Sequence, residues 1–369
     1  MKFPASWLAT RERPVIRYNQ SPEMSATSLS DKLPATGRLT EYCGVQTPAV
    51  FSSAAEEFAA LRSGCGIFDL GWRAKLVVTG RDRTRWLNGM VSNNIRDLAS
   101  GHGVYSFLLN PQGHILGDMY VFNRGESFLI DTDRAQAGKL AQLLKKYIIM
   151  DQVVLSEAGE GVITALGLEG PQSKEVLVRA GLEPSEMQPL EVEDRMWSDI
   201  SFSLVRTLQG GYMIWLSPDN AGATWEALAA AGATPVGAEA LETWRIACGV
   251  PRYGVDIRER DLPQETGQEQ ALNFSKGCYI GQEIVERIRS RGGVHRQFAG
   301  FSFAGQAPPA GTRIEREGRE LGEITSVALL PSGEAVGLGY LRREAGGPGT
   351  AIEVGGVQAT VTELPFSSL

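Results

Sequence analysis

The chain has 369 residues, a formal net charge of −7 and 43% apolar residues. At about 150 residues per domain, this length predicts two or three domains with sizeable cores. The acidic balance argues against nucleic acid as a partner. No stretch approaches the ~20 apolar residues of a membrane span, and the first residues lack the apolar core of a secretory signal. We therefore expect a cytoplasmic protein without a membrane partner.

Residues 1–36 are rich in serine, proline and polar side chains, which predicts an N-terminal extension. Residues 37–290 then alternate between helical and strand periodicity. The predicted helices span residues 54–62, 82–88, 134–147, 173–180, 223–231 and 238–248. The predicted strands span residues 75–79, 105–109, 115–122, 128–131, 162–168, 202–206 and 212–216. Single helices interleaved with hairpins are typical of an α+β fold rather than a doubly wound parallel one.

The pattern changes over residues 297–369, where short alternating strands recur between glycine, proline and charged turns. This is typical of a small β-barrel or sandwich. The linker before it is basic and contains Arg287, Arg289, Arg291, His295 and Arg296. That run either receives an anionic partner, such as a polyglutamate tail, or is a solvated linker, and we favour the linker.

The cysteines and histidines are too scattered to predict a metal site. The chain has four cysteines and three histidines. The cysteines stand at positions 43, 65, 248 and 278, with no Cys-x-x-Cys pair and no Cys/His spacing typical of zinc. In the cytosol these thiols would be reduced.

The most informative segment spans residues 276–283 and reads Lys-Gly-Cys-Tyr-Ile-Gly-Gln-Glu. It places Cys278 two residues after Lys276 and just before a run of apolar residues at helical spacing. A lysine and a helix N-terminus would both stabilise the thiolate form of a cysteine. On the local sequence alone we favour the alternative, in which Cys278 is a small buried apolar residue at the start of a helix.

This segment resembles the signature of the YgfZ-type folate-binding proteins. That family includes the mitochondrial Iba-type iron–sulfur assembly factors and is related to the T protein of the glycine cleavage system. The resemblance covers the chain from about Gly37 to its C-terminus. Five further blocks carry it, at residues 66–70, 80–89, 110–118, 244–251 and 322–326.

The resemblance implies a T-protein-like fold of the α+β class. Residues 37–290 would form a folate-binding region of two intertwined α+β subdomains, and residues 297–369 a small C-terminal β-barrel. The implied function is a tetrahydrofolate-binding accessory protein, or one that binds another reduced folate. It would support the assembly or repair of iron–sulfur clusters, with iron–sulfur proteins or the assembly machinery as partners.

The same resemblance assigns roles to individual residues. Cys278 and Lys276 would be the reactive pair. Asp118, Arg245, Tyr212 and Gln282 would bind the folate, with the pterin near Asp118 and the tail near Arg245. The residues alone are equally consistent with Asp118 being a strand carboxylate that faces solvent. Arg245 is alternatively an arginine that extends from an amphipathic helix to solvent.

Two departures from the T-protein pattern bear on the reaction. T proteins have two adjacent acids where this chain has Gly117 and Asp118, and a glutamate where it has Met213. A thioether cannot accept two N–H bonds as a carboxylate does. T proteins also lack the Lys-Gly-Cys segment. A folate-dependent aminomethyl- or methyltransferase therefore remains the alternative, and a catalytically silent folate sensor, in which Cys278 is dispensable, is a third interpretation.

Overall fold

The structure is a computed structural model that describes Thr27, residues 38–158 and residues 162–366. Apart from Thr27, the predicted N-terminal extension over residues 1–36 lies outside the described residues. Within the described part of the chain, no helix is both long enough and apolar enough to cross a bilayer.

Seven helices occur among the described residues: α1 Ala54–Ser63, α2 Arg83–Met90, α3 Arg134–Lys145, α4 Ser173–Arg179, α5 Pro218–Ala230, α6 Ala238–Ala247 and α7 Gln282–Ser290. The predicted helices are present, but α5 begins five residues earlier than predicted. Ser217 accepts a hydrogen bond from the Asp219 amide, and Pro218 occupies the first turn. This capping arrangement sets the start of the helix, because proline fits the first turn without a lost hydrogen bond.

Nineteen strands occur in the same part of the chain. They are β1 Leu39–Tyr42, β2 Val45–Pro48, β3 Gly66–Asp69, β4 Arg73–Thr79, β5 Gly103–Leu109, β6 Ile115–Asn123, β7 Phe128–Asp133, β8 Val154–Glu157, β9 Thr164–Glu169, β10 Val192–Trp197, β11 Ile200–Arg206, β12 Tyr212–Leu216, β13 Thr234–Pro235, β14 Arg296–Phe303, β15 Arg313–Arg316, β16 Arg319–Leu329, β17 Ala335–Arg342, β18 Ala351–Val354 and β19 Val357–Thr362. Besides the β1-β2 hairpin, they form a six-stranded sheet in the order β10-β11-β12-β9-β3-β13 and a five-stranded sheet in the order β5-β6-β7-β4-β8. The last six strands close into a barrel.

The chain divides into two compact units that alternate along the sequence. The first contains the described residues up to Arg83, then Leu98–Gly103 and Tyr120–Ala238. One face of its six-stranded sheet packs Leu168 and Ile214 against Trp225 of α5. The other face packs Trp215 against Phe122 and Leu129. Both faces of the central strands β9 and β12 are buried, which explains why their sequences are nearly continuous apolar runs.

The second unit contains Thr84–Asp97, Val104–Met119 and the chain from Glu239 onward. Its closed barrel runs in the order β14-β17-β16-β15-β18-β19. Inward residues such as Phe301, Ile324 and Val361 are almost fully buried. The mixed α+β class and the C-terminal β-barrel predicted from the sequence are confirmed. The predicted domain boundaries after residues 36 and 290 and before residue 297 stay predictions.

A buried carboxylate joins the barrel to the rest of the second unit. Asp256 has no exposed surface. Its Oδ2 accepts hydrogen bonds from Arg245 Nη1 at 2.7 Å and from the Arg252 amide at 3.0 Å. Its Oδ1 accepts from Ser326 Oγ at 2.7 Å and from the Thr325 hydroxyl. Because Thr325 and Ser326 belong to β16, one carboxylate links α6, the loop after it and the barrel wall.

Ion pairs extend this connection along the same loop. Arg296 Nη2, at the start of β14, lies 2.6 Å from Asp261 and 3.0 Å from Glu265. On β16, Glu323 pairs with Arg258 at 2.8 Å and with Arg260 at 2.6 Å. The partly buried pairs contribute more than exposed ones, because solvent screens them less.

We expect Asp256→Asn to destabilise the second unit by about 3 kcal/mol, the scale of breaking a buried, hydrogen-bonded ion pair. The asparagine side chain has nearly the same size as the carboxylate. Its NH2 group cannot accept a hydrogen bond, however, and would face one of the donors that bind Asp256. Hydrogen exchange of the β16 amides measures this unit separately from the first. Glu353→Gln, an exposed substitution on β18, is the control. Equal protection in the two variants would contradict the proposed role of Asp256.

Candidate functional site

Lys276 is buried, and its ammonium group is enclosed by backbone carbonyl oxygens. Only 8% of the residue is exposed. Its Nζ donates to the carbonyl oxygens of Asn88 at 2.7 Å, Val91 at 2.6 Å and Asn93 at 2.5 Å. Three N–H groups therefore meet three acceptors, which is the full donor capacity of a lysine.

The end of α2 and the loop after it supply these carbonyls, and side chains hold this segment in place. Asn93 Nδ2 donates to the carbonyl oxygens of Tyr105 at 2.9 Å and Gln270 at 2.8 Å. Ser92 Oγ donates to the Ala271 carbonyl at 2.6 Å. Asn88 Oδ1 accepts from the Ile95 amide at 3.0 Å. These bonds hold the three carbonyl oxygens that bind Lys276 in one arrangement.

The surroundings of Lys276 have two opposing effects on the pKa of its amine. Burial, with a smaller effect of the nearby Arg96, lowers the pKa of Lys276 to about 7. The three carbonyl acceptors favour the ammonium form. A neutral amine has only two N–H groups and would turn its lone pair toward the third oxygen. The Tyr279 ring, 4.9 Å from Nζ, also favours a cation. We conclude that Lys276 clamps the loop as an ammonium ion.

Cys278 follows the clamp and is exposed. Helix α7 begins at Gln282, with Gly281 as its N-cap. Cys278 therefore precedes the first turn, whereas the sequence predicted it at the mouth of the helix. The field of a helix end falls off within about one turn, and the ammonium of Lys276 is bound to carbonyls. The structure shows a thiol presented at the surface, and activation of that thiol stays a prediction.

Two glycines allow the start of α7 to lie against the β5-β6 hairpin. Gly281 has φ +84°, and a Cβ there would lie 2.7 Å from the Asn110 carbonyl oxygen. Gly113, in the hairpin turn, has φ +79°, and its Cβ would lie 2.8 Å from Ile284 Cβ. Other residues would be both strained and obstructed. The segment that carries Cys278 is thus held beside the hairpin that carries Asp118.

Asp118 and Gln282 occupy defined positions in this arrangement. Asp118 is half-buried on β6, and its Oδ2 accepts a 2.7 Å hydrogen bond from the Tyr105 hydroxyl. Gln282 Oε1 accepts from the Tyr279 amide at 3.3 Å, so this side chain folds back over the turn before α7. Asp118 presents an oriented carboxylate, whereas Gln282 supports the backbone that follows Cys278.

Arg245 is bound to acceptors within the second unit. Its Nη1 donates to the Val250 carbonyl at 2.6 Å and to Asp256 at 2.7 Å. Its Nη2 donates to Glu242 at 2.7 Å and to Ser326 at 3.0 Å, and its Nε donates to Glu242 at 3.1 Å. All five N–H groups of the guanidinium are used. Contact with a folate tail would require one of these bonds to break.

Tyr212 belongs to the first unit. It is 3% exposed within the apolar core of the six-stranded sheet, and the Arg206 guanidinium lies 4.5 Å from its ring centroid. Its neighbour Met213 is half-buried on the opposite face. Sequence reasoning missed Glu169, which lies beside Gly211 on that face. A glutamate at the end of a strand gives no sequence signal that separates it from a solvated side chain.

The other thiols differ from Cys278. Cys65 is buried, and burial raises its pKa to about 11. Cys43 and Cys248 are half-buried. Across the described ranges, no cluster of three or more His, Cys, Asp or Glu residues is arranged to hold a metal ion.

We expect Lys276→Met to destabilise the second unit by about 3 kcal/mol or more, because three buried carbonyls lose their donor. Hydrogen exchange of Ile95 and its neighbours measures the effect, with Lys145→Met, an exposed substitution on α3, as the control. If Lys276 serves only to activate the thiol, the variant will keep its stability and its Cys278 will react more slowly. That result would contradict the clamp.

We expect Cys278 to be alkylated fastest and Cys65 at least ~100-fold more slowly at pH 7.5, because burial and a raised pKa both suppress the reactive thiolate of Cys65. Iodoacetamide labelling followed by peptide mass spectrometry measures each site. Unfolding in urea should make the alkylation rates of the four cysteines similar. Comparable rates for Cys65 and Cys278 in the native protein would refute the prediction.

Two family profiles cover most of the chain. Residues 31–276 match the profile described as the GCVT N-terminal domain. Residues 295–366 match the profile described as the CAF17 C-terminal beta-barrel domain. The second match covers all six barrel strands.

Curated relatives are similar over most of their own length. An aminomethyltransferase from Halothermothrix orenii is 28% identical over 344 residues, which is 89% of this chain and 96% of that protein. An aminomethyltransferase from Rippkaea orientalis is 29% identical over 351 residues, covering 89% and 93%. A putative chloroplastic transferase from Arabidopsis thaliana is 24% identical over 358 residues, covering 95% and 82%.

A solved structure shares the fold. The crystal structure of glycine cleavage system aminomethyltransferase T from Bartonella henselae matches with a TM-score of 0.81 and 22% identity. The match covers 91% of this chain and 95% of that one. The predicted T-protein-like fold is therefore confirmed. The chain belongs to the GCVT N-terminal domain family and is a relative of the T proteins that carries a CAF17-type C-terminal β-barrel.

Proposed function

We propose that this protein is a YgfZ-type, tetrahydrofolate-binding accessory factor that supports the assembly or repair of iron–sulfur clusters in other proteins. The observation that carries the proposal is the exposed Cys278, held in place by the buried clamp of Lys276. The CAF17-type barrel adds support, because it accompanies a T-protein-like region in this chain. We place the protein in the cytoplasm.

The clamp suits the presentation of a thiol to a partner. Burying an ammonium is costly unless its hydrogen bonds are satisfied. The three hydrogen bonds of Lys276 meet this condition, and they fix the backbone two residues before Cys278. Biological clusters need several ligands, and one cysteine cannot hold a cluster alone. Cys278 would share a cluster with residues of an iron–sulfur protein, or act on such a partner as a redox-active thiol.

The second unit fits the pterin end of a reduced folate better than its tail. A carboxylate accepts a pair of N–H groups, and Asp118 is half-buried and oriented by Tyr105. Arg245 fits the anionic tail only if it releases an acceptor, because its five N–H groups are engaged. When bound, a reduced folate supplies an acceptor for one-carbon groups.

A folate-dependent aminomethyl- or methyltransferase is the second candidate. The names of the curated relatives favour it, since two of them are aminomethyltransferases that match 89% of this chain. Against it stand the single acid Asp118 and the thioether of Met213. The T-protein pattern has two adjacent acids at the first position and a glutamate at the second.

We expect tetrahydrofolate to bind, with no formation of methylenetetrahydrofolate from an aminomethylated carrier protein. Calorimetry measures binding, and product formation above the uncatalysed rate would favour the transferase. In cells lacking the native protein, Cys278→Ala should fail to restore the activity of iron–sulfur enzymes. Cys248→Ala, a cysteine substitution in the same unit, should restore it.

The outcomes separate the parts of the proposal. Full rescue by Cys278→Ala would remove the thiol from the mechanism and favour the folate-sensor interpretation. Absence of heat at high tetrahydrofolate concentration would refute folate binding. Thermal melting of both variants checks that they are folded.

A further inference from the structure

Strand β10 lies at one edge of the six-stranded sheet and pairs with β11 along its whole length. At the start of this pairing, the Arg206 amide donates to the Glu191 carbonyl. Residues in an antiparallel pair alternate between facing the partner strand and facing away from it. Every second residue from Glu191 therefore directs its main-chain groups toward β11, whereas Val192, Asp194 and Met196 direct theirs outward.

The first of these outward positions already pairs with an extended segment of the same unit. The Val192 amide donates to the Gly101 carbonyl at 2.7 Å. Within the part of the chain that the structure describes, the main chain of Asp194 and Met196 makes no such bond on this side. A row of free N–H and C=O groups is a template for another strand. The edge can thus accept an extended segment, and two of its positions are open.

A groove of about 360 Å³ lies beside the open edge. The loop at residues 181–185 forms one wall, and Arg195, Met196 and Phe202 form the other. Its lining is mixed: the side chains of Leu182, Pro184 and Phe202 are buried and apolar, whereas Glu183 is exposed and charged. Such a lining fits a side chain with an apolar stem and a polar end.

Contacts at both ends hold the loop at residues 181–185 against β10. Ser185 Oγ donates to Glu193 Oε1, and the Ser185 amide donates to Oε2 at 3.5 Å. Gly181 lies against Trp197, since a Cβ on this glycine would be 3.3 Å from the indole nitrogen. Gly181 also has φ +77°, which other residues rarely adopt. The groove is therefore bounded by a fixed loop.

The charges at the groove favour a cation. Glu183 on the groove wall and Asp199 in the adjacent β10-β11 turn are exposed, and neither carboxylate is bonded to another described residue. Arg195, the cation on the groove wall, is already paired with Glu193 at 2.5 Å. A lysine or arginine could pack its stem on the apolar lining and bring its charged end to Glu183.

We propose that the open edge of β10 binds an extended segment of a partner protein, which adds a strand to the sheet and places a lysine or arginine in the groove. The main chain of the segment would pair with Asp194 and Met196. In strand addition, main-chain hydrogen bonds provide affinity, and pockets for alternate side chains provide specificity. The site uses none of the residues assigned to the proposed function and goes beyond it.

Peptide selection on the whole chain tests this proposal. The probe is a phage-displayed library of random peptides of about ten residues, long enough for one strand. We expect the selected peptides to be enriched in lysine or arginine between apolar residues. Fluorescence anisotropy then measures their affinity as synthetic peptides with blocked ends. Selected peptides without enriched lysine or arginine would overturn the assignment of the groove.

Met196→Pro removes one outward N–H group and leaves the pairing with β11 intact, because that pairing uses the amides of other residues. We expect this variant to bind the selected peptides at least about 10-fold more weakly, the scale of one lost hydrogen bond. Met196→Ala keeps the amide and should stay within about threefold. If no selected peptide binds Met196→Pro more weakly than the wild type, the proposal fails.

A charge variant tests the groove itself. Glu183→Gln should weaken binding of the basic peptides about threefold to tenfold, a modest effect because solvent screens an exposed ion pair. Glu175→Gln, an exposed acid on α4 of the same unit, is the control and should bind like the wild type. Equal affinities of Glu183→Gln and the control would contradict a cation in the groove.

N-methylation of the peptide provides a measurement that leaves the protein unchanged. Only every second amide of a strand faces its neighbour. Methylation of either the odd or the even positions should therefore weaken binding at least about 10-fold, and methylation of the other set should have little effect. Equal effects of the two patterns would refute strand pairing, even if Met196→Pro fails to fold. If the wild type sediments as a dimer that Met196→Pro dissociates, the edge binds a second copy, and the partner segment is wrong.

Discussion

The ammonium of Lys276 organises the part of the second unit that carries the exposed thiol. A lysine removed from water needs three acceptors, and the end of α2 together with the loop after it supplies three carbonyl oxygens at 2.5–2.7 Å. The loop in turn depends on Asn88, Ser92 and Asn93, whose side chains fix its backbone. Residues nearly two hundred positions apart in the chain thereby hold each other, and Cys278 is placed at the surface as a result.

A second buried charge performs a comparable task at the barrel. Asp256 accepts four hydrogen bonds, and Arg245 donates five. A buried charge is tolerated only when its hydrogen bonds are satisfied, and satisfied charges of this kind fix one arrangement of α6, the following loop and β16. Such an arginine is more a part of the framework than a free ligand-binding group.

The acids of this chain fall into two kinds that differ in their hydrogen bonds. Asp256 is saturated with donors and belongs to the framework. Glu169 is half-buried and makes no side-chain hydrogen bond among the described residues, and burial raises its pKa to about 7. The number of donors thus separates acids that appear alike in the sequence.

The sequence by itself determined the elements with strong periodicity and the segments with unusual chemistry. Helix α3, the β11-β12 hairpin and the C-terminal strands follow from apolar spacing and turn residues, which are local properties. The Lys-Gly-Cys segment was identifiable because its residue types are rare in combination. Strand β10 was not predicted, because Glu193, Asp194 and Arg195 form a strand only by pairing with β11.

Only the tertiary structure decided that Lys276 binds carbonyl oxygens, that all five N–H groups of Arg245 are engaged and that the Glu169 side chain lies over Gly211. Each of these outcomes depends on which distant backbone or side chain supplies the hydrogen-bond partner, and spacing along the chain does not encode that choice.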